Sequence, residues 1–165
     1  MKKIIRNVRI NSSRWLMMFI MLFICNSTYS QVASDNSFTT ITPILSYNEI
    51  EQCKYNIIHS GSWEDYCLLS LQKIEVDSLV EYAVILANQY NNDQACFEVF
   101  RLTTLSYKKK NIEMDSNIIS FALAYLEKGA GLGNQRCKKE LHYIYSTGTY
   151  VEKDIEKAEK YQSTD

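Results

Sequence analysis

The sequence predicts an all-α chain, a short α-solenoid of antiparallel helix pairs. Two observations carry this expectation. From Tyr47 onward there is no proline, the single one being Pro43. Over the same stretch apolar residues recur at three- and four-residue intervals, and no segment sustains the alternation of a strand. Turn-forming runs such as HSGS and NND divide the pattern into six or seven short helices.

Residues 1–30 read as a signal peptide. Lys2, Lys3, Arg6, Arg9 and Arg14 precede the apolar run LMMFIMLFIC, which is too short to span a bilayer comfortably. Thr28 and Ser30 supply small residues for cleavage before Gln31. The rival reading is lipidation at Cys25, where bulky Ile24 stands in place of the small residue a lipobox wants. Residues 31–46, rich in Ser, Thr and Asn, read as a flexible linker, and residues 47–165 as one helical domain.

Residues 47–58 give the first helix, with HSGS at 59–62 as its turn. Ser62 and Asp65 have the spacing of a capping box for a helix over 63–73. Asp77 is placed to cap a helix reaching about Tyr90, with Leu79, Ala83, Leu86 and Tyr90 on one stripe. After NND, a helix carries Cys96, Val99, Phe100, Thr103 and Tyr107. A lysine-rich loop then leads to Asp115, a natural N-cap for a helix bearing Ile118, Ile119, Ala122, Tyr125 and Leu126. Two further helices follow, separated at Gly148.

The signal segment holds five of the eighteen basic residues and none of the nineteen acidic ones, so its removal leaves thirteen against nineteen, a net of −6. That balance argues against nucleic acid, whose ligands show concentrated positive surface. Lys108, Lys109 and Lys110 form the one short basic run, and it reads as solvated. Cys53, Cys67, Cys96 and Cys137 remain after cleavage, an even number that permits disulfides in an exported chain. Cys53 and Cys67 stand at near-equal distances from the HSGS turn, which favours a bridge between them; Cys96–Cys137 is the less favoured pairing. The alternative is that all four are small buried thiols.

Catalytic signals are sparse. There is no glycine-rich phosphate loop, no GxSxG and no HExxH. The only histidines, His59 and His142, match no metal spacing. Cys137 and His142 are five residues apart, roughly 140° around a helix, and so should not face each other as nucleophile and base. No catalytic residue, metal or cofactor is expected.

Residues 122–161 carry a spaced pattern of small, aromatic and glycine positions. These are Ala122, Tyr125, Ala130 and Gly133, then Cys137, Leu141, Tyr145 and Gly148, then Val151, Asp154, Ala158 and Tyr161. The pattern resembles a Sel-1-like repeat, a relative of the tetratricopeptide repeat. His142 departs from it, standing where the family has a glycine. Residues 77–115 resemble a diverged preceding unit that lacks a turn glycine.

The resemblance implies stacked helix pairs that bind another protein rather than catalyse a reaction. With export, it implies a protein-binding module of the periplasm or cell envelope, touching membrane only if lipidated at Cys25. A second reading is an immunity protein that neutralises a toxic effector delivered to the periplasm. A cell-wall-related hydrolase, implied by some cysteine-rich relatives, is the weakest of the three.

Overall fold

The computed structural model describes residues 44–162. The expected signal peptide, Cys25 and nearly all of the expected linker lie outside the described residues. Among those residues the chain is all-α, with seven helices and no strand.

Helix α1 spans Tyr47–Ser60. Its first turn is closed by Ser46, whose hydroxyl accepts the Glu49 N–H while the Glu49 carboxylate accepts the Ser46 N–H at 2.8 Å. The end of the expected linker is thus already part of the helix, because Ser46 satisfies amides that the first turn leaves open. Gly61 ends α1 in the left-handed region, φ 67°. A β-carbon there would lie 2.4 Å from the Tyr90 ring, so this turn needs glycine for backbone and for space.

Helix α2 spans Trp63–Ser70, shorter than the expected 63–73. Ser62 caps it by accepting the Asp65 N–H at 3.2 Å. Asp65 does not complete the box; its carboxylate accepts from Asn56 Nδ2 at 3.0 Å and so ties α2 back to α1.

Helix α3 spans Val76–Gln89, with Glu75 at the N-cap and no side-chain cap. Asp77 is therefore inside the first turn and not the cap. Its carboxylate accepts from Ser106 Oγ at 2.5 Å and Lys110 Nζ at 2.7 Å. The start of α3 is thereby fastened to the end of α4, which spans Asp93–Lys110. The three lysines expected in a loop form the last helical turn, where cations complement the exposed carbonyls. Asn111 then takes the left-handed conformation, φ 53°, in the role of the missing turn glycine.

Helices α5 (Ser116–Gly131), α6 (Gln135–Thr147) and α7 (Ile155–Glu159) complete the chain. Asp115 caps α5 through the Asn117 and Ile118 amides, and Asn134 caps α6 through the Cys137 amide.

Each helix packs on the next; α1 also packs on α3, and α4 on α6. Nine of the eighteen α4 residues are buried, which makes it the central helix. The core runs from Ile57 and Leu69 through Leu86 and Val99 to Leu126, Leu141 and Ile144. Cys53, Cys96 and Cys137 are buried, and Cys67 is half-buried. Among the described residues no helix is long and apolar enough to cross a membrane.

Candidate protein-binding surface

The repeat positions singled out in the sequence gather around α5, α6 and α7. Ala122, Cys137, Leu141 and Ala158 are buried where these helices meet. Gly133 turns the chain between α5 and α6 at φ 97°, and Gly148 ends α6 at φ 79°. Asp154 accepts the Lys157 N–H at 2.9 Å and donates its own N–H to the Tyr145 carbonyl at 2.9 Å. Tyr145 is 5% exposed, stacks on Tyr161 with centroids 6.1 Å apart, and donates its hydroxyl to Glu127 at 3.1 Å. Lys157 reaches the same carboxylate at 3.0 Å. Contact with Tyr145, then with Glu127, holds the Lys157 ammonium above the ordinary lysine range.

His142 has a role that the sequence did not reveal. Its Nδ1–H donates to the Ala158 carbonyl at 3.1 Å, so the residue replacing a small one in the pattern fastens α7 to α6. Cys137 is fully buried, and loss of solvent pushes its thiol up to about 12. A thiol held protonated and a ring committed to a backbone carbonyl do not make a nucleophile–base pair. Among the described residues no three His, Cys, Asp or Glu side chains form a metal-binding group.

Tyr125 is half-buried and packs against the core from its edge. Its ring meets Phe121 edge-on at 5.1 Å, and its hydroxyl accepts from Asn88 Nδ2 of α3 at 2.8 Å. Lys128, one turn further, donates to the Ala87 carbonyl at 2.6 Å and to Asn88 Oδ1 at 3.2 Å. Phe121, Ala124, Tyr125 and Lys128 lie at helical spacing on one side of α5, away from Ala122, Leu123 and Leu126 in the core. Phe121 is 40% exposed and Ala124 is exposed as well. Helix α5 therefore has a packed face and, beside the end of α3, an edge where Phe121 and Ala124 are exposed while Tyr125 packs partly against the core. The second combines an aromatic edge, a methyl group and an amide already fixed by hydrogen bonds. Groups already held in this way have little side-chain freedom left to lose on contact.

A different face joins α4 and α6. Arg136 lies over the Phe97 ring at 4.0 Å, and Tyr150 meets Phe100 edge-on at 6.2 Å. Beneath the opposite flank of α4, Arg101 Nε donates to both Glu98 oxygens at 3.0 Å. The neighbouring Tyr66 hydroxyl is buried with no hydrogen-bond partner, and desolvation raises its pKa well above the ordinary phenol value.

No family model matches the chain, and no solved structure matches it. Among characterised proteins it is similar to the sensor histidine kinase SpaK of Bacillus subtilis, at 26% identity over 115 residues. That alignment takes in 62% of this chain and 24% of SpaK, so the chain spans about a quarter of the length of the kinase. Among the described residues the chain is an all-helical arrangement of paired helices with an exposed Phe121–Ala124 edge on α5.

Proposed function

We propose that this is an exported Sel-1-like helical-repeat protein, a short α-solenoid that binds another protein in the periplasm or cell envelope. The exposed Phe121–Ala124 edge of α5, beside a half-buried Tyr125 held by Asn88, carries the reading. It offers apolar area and pre-set polar groups, and the chemistry needs neither metal nor nucleotide. The equivalent placement of Asn111 and Gly148, each ending the second helix of a pair in the left-handed region, supports two successive repeat units.

An immunity protein against a toxic effector is the second reading. The net charge of −6 after residue 30 favours it, since an acidic inhibitor meets a basic partner faster at low ionic strength. A cell-wall-related hydrolase has no comparable support.

Affinity capture from envelope extracts tests the proposal when run with a surface variant beside the natural chain. Phe121→Ala with Ala124→Glu alters exposed groups only, so the variant should fold. A partner retained by the natural chain and lost by the variant supports binding through α5. Equal capture by both, or hydrolysis of cell-wall fragments by the purified protein, overturns it.

A further inference from the structure

We propose that Cys96 and Cys137 form a disulfide that joins α4 to α6 when the chain folds under oxidising conditions. The sequence ranks this pairing second; the geometry around Gly129 brings it forward. A β-carbon placed on Gly129 would lie 2.5 Å from Cys137 Sγ and 2.9 Å from the Cys96 Cβ. The two cysteines thus approach one common point, beside an α5 residue that has no side chain to keep them apart.

The helix caps give an independent reason for the alignment. Asn134, the cap of α6, is buried and donates from Nδ2 to the Asp93 carboxylate in the first turn of α4 at 3.0 Å. Cys96 lies three residues after Asp93, and Cys137 three residues after Asn134. Equal steps from a hydrogen-bonded pair carry both side chains through the same rotation and the same rise. Both thiols are fully buried.

Burial also fixes when the bond can close. A thiol raised to about 12 inside a packed core supplies almost no thiolate, so the finished fold resists attack. The bridge therefore forms in the folding chain, before Gly129 packs over the pair. A disulfide oxidant such as oxidised glutathione suffices. One cysteine thiolate attacks it, forms a mixed disulfide and releases one glutathione thiolate. The second cysteine thiolate then attacks the protein sulfur of that mixed disulfide and releases the second glutathione thiolate. Two cysteines are oxidised by two electrons, one glutathione disulfide is reduced, and the two protons end on glutathione.

The test is independent of export. The full chain is unfolded and reduced, then refolded in a buffer of reduced and oxidised glutathione. Helicity is checked by circular dichroism, and the protein is then unfolded in denaturant, alkylated without reduction and mapped by mass spectrometry. The expected result is a peptide pair linked through Cys96 and Cys137, and the same pair alkylated when already folded protein meets the same buffer. Alkylated Cys96 and Cys137 in refolded helical protein overturn the proposal. So does a lasting glutathione adduct on either one, or a bridge from either to a different cysteine.

Discussion

Gly129→Ala asks whether the meeting point of α4, α5 and α6 is as close as the geometry states. In an exposed helix interior the change would stabilise by about 1 kcal/mol, because alanine restricts the unfolded chain and glycine does not. At residue 129 the new methyl carbon would sit 2.9 Å from the Cys96 Cβ and 2.5 Å from Cys137 Sγ. The sulfur can turn away, but the Cys96 Cβ moves only with the backbone of α4. Overpacking of this kind costs about 1–3 kcal/mol, so the net expectation runs from near neutral to about 2 kcal/mol destabilising. Urea unfolding reads it as a lower midpoint with an unchanged slope. Cys137→Ala removes the sulfur half of the conflict, so the double variant should regain about 0.5–1 kcal/mol relative to additivity. A Gly129→Ala protein more stable by the full propensity gain, with no coupling to residue 137, would show that the space is open. The alignment of Cys96 with Cys137 would then lose its footing.

Tyr145→Ala should destabilise by about 3–5 kcal/mol as a buried aromatic is deleted, and Tyr145→Phe by about 1 kcal/mol through loss of the bond to Glu127; equal effects in urea unfolding would contradict the packing described. Burial raises the Glu140 carboxyl above its ordinary range. Its contribution to folding is therefore fullest below the unfolded carboxylate value and declines as pH rises through the raised one. Glu140→Gln should match or exceed the natural chain in stability at neutral pH and lose that advantage in acid; an advantage confined to acid would reverse the sign.

The helices were legible where the signal is local. Ser62, Asp115 and Asp154 announce themselves as caps because a short polar side chain before an apolar period has one obvious use. Asp77 has the same look and a different use. The helix begins one residue earlier, and its carboxylate is taken by Ser106 and Lys110, partners that only the folded pair brings near. Lysines 108–110 read as a loop because no glycine follows them; Asn111 tolerates the left-handed turn, so the helix continues. The candidate surface was the least legible part. Phe121 and Tyr125 stand one turn apart on α5, and period alone does not tell the exposed ring from the one packed against the core.

The central place of α4 bears on how the molecule can be divided. In a stack whose members touch only their neighbours, end pairs can be trimmed and the rest survives with a proportionate loss. Here α4 meets α3, α5 and α6, and its start and end are tied by Asn134 and Asp77 respectively. Excising α1 through α3, or α5 through α7, would strip one flank from a helix half of whose residues are buried. The smallest autonomous piece is then set by α4, and a fragment cut on either side of it inherits an open core.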